Sequence, residues 1–315
     1  MKNNQLKIYQ DANSVKAINP VVTIGIFDGI HLGHIKILER LKKIASRTGG
    51  ETVVVTLWPH PRLVLGNSRD EIHLLSTLDE KIGLIEKSGI DNMIILPFTR
   101  DFADISYDEF IRNYLVDGIK AKSIIVGYNH HFGKDRKGGF EQLKVNADKF
   151  GFSVERQTPV IIENKTVSSS VIRQLIMDGD MVLANKLLGY YYAVKGKVIE
   201  GKRIGKQLGF PTANIGVNGE NKLIPFTGVY AVKVEIENRW HNGMLNIGVR
   251  PTIEEQVHNF TIEVHILDFN EDIYGKDIRL QFVERIRDEK KFNNADELIE
   301  QLKRDRIETN LILGK

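Results

Sequence analysis

The chain has 315 residues, enough for two domains that each bury a core of their own. Its 44 basic and 41 acidic side chains leave a net charge of +3, too small for a nucleic-acid or acidic-membrane surface without a clustered patch. With no cysteine, disulfides and thiolate chemistry are excluded and zinc would depend on histidine and carboxylates. The N-terminal stretch lacks an apolar core of signal-peptide length, and no later run approaches about 18 uninterrupted apolar residues. The expectation is a cytoplasmic protein with no membrane or nucleic-acid partner, its oligomeric state open.

In chain order, the apolar run over 21–26 reads as a buried strand. A turn carrying Asp28 and Gly29 follows, and the amphipathic stretch 35–45 reads as a helix. Such a junction has free backbone N–H groups at the positive end of a helix dipole and attracts phosphate. His31 and His34 stand there, three apart around Gly33, which lets a ligand near the backbone. Taken alone, the pair reads equally as polar loop residues or as two members of a metal site. Strand-like runs at 52–57, 92–96, 123–126 and 153–157 alternate with helix-like ones at 78–88, 107–116 and 140–150, which predicts a parallel sheet covered by helices. Ligands of such sheets bind beyond the carboxyl ends of the strands.

Three further stretches fall at strand ends. LWPHP (57–61) sets His60 between two prolines, Pro59 and Pro61, that stiffen the backbone. VGYNHHFGKDRKG (126–138) offers Asn129, His130, His131, Lys134, Arg136 and Lys137 as phosphate or base contacts, or as a solvated loop. VSSSVIR (167–173) opens a helix with Ser168, Ser169 and Ser170 and carries Arg173; a plain helix cap is the alternative. Both the dinucleotide fingerprint Gly-x-Gly-x-x-Gly and a P-loop are absent.

After residue 188 the texture changes to strand-like runs at 193–200, 228–237, 243–247, 261–267 and 278–283, an antiparallel barrel, closed by an amphipathic helix over 295–308. Asn294 and Glu297 are spaced as its capping pair, and the domain boundary falls near 186. In GKRIGKQLGFPTANI (201–215), Gly201, Gly205 and Gly209 let a loop close over phosphates. Thr212 and Asn214 are two apart, so in an extended segment both oxygens face one side and suit Mg²⁺; a plain turn is the alternative. In IEVHILDFNEDIY (262–274), alternation sets Glu263 and His265 opposite Ile262, Val264 and Ile266. RIRDEKKF (285–292) brings Arg287, Asp288 and Phe292.

The pattern Gly-x-Phe-Asp-Gly-x-His-x-Gly-His, begun by Gly25 and Phe27, resembles the nucleotide-binding signature of the nucleotidyltransferase superfamily. Its form is similar to the adenylyltransferase half of bacterial bifunctional riboflavin kinase/FAD synthetases. The order that follows fits the same family: x-Pro-His-Pro, Gly-x-Asn-x-x-Phe-Gly with a trailing Arg-x-Gly, then Ser-Ser-x-x-x-Arg. Residues 201–215, NIGVRPT (246–252) and 262–274 resemble its kinase half. Departures are Trp58 where an acidic residue is common, His130 and His131 for Phe and a variable residue, Ser170 for Thr and Gly139 for Asp.

The resemblance implies a Rossmann-like nucleotidyltransferase domain over 1–185 and a riboflavin kinase-like barrel over 186–315. The barrel would phosphorylate riboflavin with MgATP to FMN, and the first domain would adenylylate FMN with ATP to FAD. His31 and His34 would stabilise the reacting phosphates, with Gly25, Phe27, Asp28, Gly33, Asn129, Arg136, Ser168, Ser169 and Arg173 holding that ATP. Gly201, Lys202, Gly205, Gly209, Thr212 and Asn214 would hold the kinase ATP, Thr212 and Asn214 with Mg²⁺. Glu263 would be the general base, and His60, Pro61, Arg287, Asp288 and Phe292 would contact flavin. The rivals are a nucleotidyltransferase for another phosphate ester, which the kinase signature argues against, and a non-enzymatic flavin-binding or regulatory protein.

Overall fold

The computed structural model describes residues 5–66, 72–201, 204–217, 219, 221–249 and 260–314. The chain divides into two compact units, the first ending at Ser169 and the second beginning at Ser170. In the first, strands β1 (Lys7–Tyr9), β2 (Val21–Ile24), β3 (Thr52–Trp58), β4 (Asn92–Pro97), β5 (Ser123–Val126) and β6 (Ser153–Arg156) form one sheet in the order β1-β4-β3-β2-β5-β6. Every pairing in it is parallel, as the alternation of strand-like and helix-like runs predicts. Helices α1 (Leu32–Thr48), α2 (Pro61–Leu65), α3 (Leu78–Lys87), α4 (Arg100–Ala103), α5 (Tyr107–Glu109) and α6 (Phe140–Phe150) connect the strands.

Alternation along the strands builds two cores. Val21, Val54, Met93 and Ile125 pack with Leu38 and Leu41 of α1. Val22, Val53, Ile94 and Ile124 pack with Phe110, Leu115 and Leu143. The chain steps outward from β2 through β3 to β4 and returns to β5 on the other flank of β2, so the strand order reverses between β2 and β5. That reversal opens a crevice beyond the carboxyl ends of those two strands. The helix expected over 107–116 is a single turn, α5, closed by a Ser106/Glu109 capping box and continued as a π-helical segment, Phe110–Gly118.

After a short hairpin of β7 (Ile161–Ile162) and β8 (Lys165–Thr166), the second unit takes in most of α7 (Ser169–Met177), and all of α8 (Met181–Leu188). These helices pack with the barrel: Ile176 O accepts from Phe226 N–H at 3.2 Å, and Asn185 Nδ2 donates to Phe282 O at 2.8 Å. The division in packing therefore lies ahead of residue 186, the boundary expected from the sequence. The barrel comprises β9 (Ala193–Ile199), β10 (Ala213–Val217), β11 (Gly228–Ile236), β12 (Arg239–Val249), β13 (Phe260–Ile266) and β14 (Asp277–Arg287), with α9 (Ile204–Gln207) between its first two strands. It closes in the antiparallel order β10-β13-β12-β11-β14-β9. Val232, Leu245, Val264, Leu280 and Phe282, all fully buried, fill its inside, and α10 (Ala295–Leu313) covers part of its outer wall.

Candidate active sites

The first site lies at the strand reversal. Between β2 and α1 the backbone bends through left-handed φ values at Phe27 (51°), Gly29 (83°) and Ile30 (36°). Such a conformation costs a bulky or β-branched residue about 1–3 kcal/mol and persists only where its surroundings over-determine it. Here they do. Asp28 is buried, its carboxylate accepting from the N–H groups of Leu75 and Ser76 at 3.0 and 2.9 Å, and Ser76 Oγ accepts from Gly29 N–H at 3.1 Å. Asp28, expected among the phosphate contacts, anchors this turn through the 75–76 backbone.

The turn delivers His31 as the N-cap of α1, its Nδ1 accepting from His34 N–H at 3.3 Å. The two imidazoles stack with centroids 3.7 Å apart, and Phe27 stands 5.0 Å from His34. Burial, then the proximity of His31 and Lys81, hold His34 well below the usual histidine range, so its ring is neutral. Its Nδ1 is buried without a hydrogen-bond partner among the described residues, the mark of a group awaiting a ligand. A Cβ at Gly33 would stand 3.1 Å from the His31 ring and 3.4 Å from Val167 O, so glycine admits that ring against the 167–169 segment. Ser169 Oγ donates to Asp28 O at 2.9 Å, which brings the second helix start beside the first.

Around this centre, Gly25 follows β2 and a Cβ there would press on the Phe27 ring at 3.0 Å. His60 caps α2 at the end of β3, its Nδ1 accepting from Arg62 N–H at 3.1 Å, and Pro61 opens that helix. The 127–138 loop leaves β5 and closes on itself through paired hydrogen bonds between Phe132 and Gly138. Asn129 and Arg136 are exposed on it, while His130 stacks 5.6 Å from Phe132 and leaves Nε2 buried without a hydrogen-bond partner among the described residues. Ser168 is half-buried just ahead of α7, and Arg173 lies one turn along that helix.

The second site is on the outer wall of the barrel. Glu263 of β13 pairs with Asn214 of β10 on one side and Asn246 of β12 on the other. Thr212 Oγ1 donates to Glu263 Oε2 at 3.3 Å. A Cβ at Gly201 would collide with the Asn214 side chain, and one at Gly205 with Phe210 O, so both glycines are demanded by close approach. Gly209 takes a φ of 81° at the turn that leads back to β10. Lys202 lies outside the described residues. Thr212, Asn246, Glu263 and His265 line a cavity of about 340 Å³ together with Arg287, Phe292 and side chains of α10. Thr212 and Glu263 bring to it the oxygen donors that Mg²⁺ prefers, and Asn214, which does not line it, pairs with Glu263 from the neighbouring strand.

Arg287, expected to meet flavin or phosphate, is engaged by Asp305 of α10: Nε and Nη2 donate to its carboxylate at 2.9 and 2.7 Å. Arg287 Nη1 also donates to Asp288 O at 2.8 Å, and the guanidinium lies 6.0 Å from the Phe292 ring. The Asp288 carboxylate points to Arg285, at 2.6 Å, and is 78% exposed, so it does not line the cavity.

Sequence reasoning missed Asp305 and Lys81, and named Asn246 and His265 only as members of the kinase-like stretches, without a role. Asp305 was detectable as an acid on the stripe of Leu298 and Leu302, seven and three residues before it. Lys81 sits on α3, 1% exposed, with nothing in its local sequence to mark it.

Residues 14–171 match the FAD synthetase family and residues 188–313 the riboflavin kinase family. The bifunctional riboflavin kinase/FMN adenylyltransferase of Bacillus subtilis (strain 168) is 40% identical over 291 residues, 91% of this chain and 90% of its own. That of Listeria monocytogenes serovar 1/2a is 39% identical over 300 residues, 95% and 94% of the two chains. A crystal structure described as a macrolide-efflux protein from Streptococcus pneumoniae superposes with a TM-score of 0.88 at 31% identity, covering 97% of this chain and 98% of that one. Among the described residues of this chain no helix is long and apolar enough to cross a membrane.

Proposed function

On the premise that this chain belongs to the bifunctional riboflavin kinase/FMN adenylyltransferase family, we propose that its two activities are divided between the two sites. The protein phosphorylates riboflavin with ATP to FMN and ADP, and adenylylates FMN with a second ATP to FAD and pyrophosphate. Residues 1–185 carry the adenylyl transfer and 186–315 the kinase.

In the adenylyl transfer the FMN phosphate is already a charged nucleophile, so the protein supplies alignment and stabilisation of charge at the α-phosphate and the leaving pyrophosphate. His31 and His34 serve this. Stacked at 3.7 Å they do not both carry charge. A neutral His34 offers one N–H donor, and an arriving anion favours its protonated form. The free N–H groups at the start of α1, and Ser168, Ser169 and Asn129, complete the binding of the triphosphate, with His60 and Pro61 toward the flavin.

In the kinase the nucleophile is a neutral hydroxyl and needs a base. Glu263 takes the proton of the terminal ribityl hydroxyl, and Thr212, hydrogen-bonded to it, orients that carboxylate. Thr212 and Asn214 would hold Mg²⁺, which would supply charge screening for the phosphate oxygens of ATP. Phe292 closes on the flavin ring, positioned by Arg287. The alignment of Asn214, Glu263 and Asn246 on adjacent strands, with Thr212 at its edge, is the observation that supports this reading most strongly.

Chromatographic separation of riboflavin, FMN and FAD from the wild type, His34→Ala and Glu263→Gln tests the division. Loss of FAD alone is expected for His34→Ala. A fall of about 10²- to 10⁴-fold in FMN production, with FMN still converted to FAD, is expected for Glu263→Gln. Unimpaired FMN production by Glu263→Gln would remove Glu263 from its role.

A further inference from the structure

Lys81 of α3 is 1% exposed, a costly setting for an ammonium group. Its Nζ donates to Ile26 O at 2.8 Å and lies 5.2 Å from the centroid of the Trp58 ring. Thr56 Oγ1 donates to the same carbonyl at 3.0 Å. Ile26 leads directly into Phe27, the first residue of the strained turn, whose ring is 5.0 Å from His34. Two donors thus grip the backbone one residue before the bend that aims the histidines. Burial brings the Lys81 pKa down to about 8, with the Asp28 carboxylate opposing the fall.

We propose that Lys81 is a positioning residue for adenylyl transfer, gripping the Ile26 carbonyl so that the Phe27 turn presents His34 to the triphosphate. The proposal rests on the role given to His34 above. A buried lysine that merely props the core would affect stability alone, so the test reads catalysis and titration separately in the full-length protein. The charged groups bearing on His34 are His31, stacked on it, and Lys81 from α3, with Asp28 beside Lys81. Removing the cation therefore raises the His34 pKa.

Lys81→Met is expected to lower kcat for FAD formation from FMN about tenfold or more, with KM for FMN changed less than about threefold. The acid limb of its pH profile and the His34 imidazole titration, followed by NMR, move to higher pH. Lys81→Gln keeps a donor for Ile26 O without the charge; it serves should Lys81→Met fail to fold, and is expected to shift the titration with a smaller loss of kcat. Lys81→Arg recovers part of the rate. Lowered thermal midpoints with unchanged kcat and an unmoved His34 titration would overturn the proposal. Should His34→Ala still make FAD, the role of His34 falls and this proposal with it; an inactive His34→Ala beside fully active Lys81 variants defeats this proposal alone.

Discussion

The Arg287–Asp305 pair ties α10 to the barrel, and Asp305→Ala measures what that tie is worth. The Asp305 side chain is 1% exposed and that of Arg287 14%. The carboxylate accepts from two guanidinium nitrogens and, at 2.8 Å, from Gln301 Nε2. Truncation leaves a desolvated cation without its partner and an amide without its acceptor. Removing one member of such a buried pair costs about 3–5 kcal/mol. For a unit of this size each 1 kcal/mol lowers the midpoint by about 2–4 °C, so a drop of roughly 6–20 °C is expected. Residual riboflavin phosphorylation after graded heating reports this unit's transition within the full chain. Because Arg287 also holds Asp288 O and faces Phe292, the riboflavin KM should rise even at low temperature. The double variant Arg287→Met/Asp305→Leu, apolar on both sides, should regain most of the stability and none of the KM. A single variant losing less than about 1 kcal/mol, or a double variant no better than the single, would refute the reasoning.

Gly201→Ala should depress riboflavin phosphorylation by driving the new methyl group into Asn214, while FMN adenylylation continues; equal kinase rates would show that Asn214 swings aside at no cost. The His130 pKa is lowered to about 4 by burial, then by the charges of His131 and Arg136, against an ordinary value of 6.5. Between those two values the unfolded chain binds a proton that the folded chain does not, so stability is fully present above about pH 6.5 and declines as pH falls toward 4. His130→Phe should flatten that decline in urea midpoints taken from pH 7 to about 4.5, and an unchanged slope would exclude His130 as its source.

The parallel sheet was legible because its central strands are short apolar runs between amphipathic helices, and Ser123–Val126 and Phe140–Phe150 coincide with their predicted bounds. Lys7–Tyr9 was not: a three-residue edge strand has too little apolar pattern to stand out. Five barrel strands were visible as strand-like runs, but β10 lay hidden in the glycine-rich motif, and β12 runs from Arg239 to Val249, well beyond 243–247, because polar His241 and Asn242 are held by pairing with β11. Motif spacing marked the histidine turn, Thr212 and Glu263, but not the hydrogen bond between the last two. It could not reveal that Asp28 faces the 75–76 backbone or that Arg287 is claimed by Asp305, since both partners are supplied by tertiary packing from 47 or 48 and 18 residues away.

The pairing of Asn214, Glu263 and Asn246 across three strands has a consequence for how the kinase site withstands mutation. Paired residues of neighbouring strands project from the same face, and each alternates along its strand with apolar neighbours that fill the barrel. A slip of one residue in β13 would send Glu263 inward and expel Ile262 and Val264, exchanging a carboxylate for two aliphatic chains in a dry interior. The row of Asn214, Glu263 and Asn246 therefore cannot drift by small steps. It is either aligned or the barrel does not close, so the apolar interior acts as a proofreading device for the polar side chains on the opposite face.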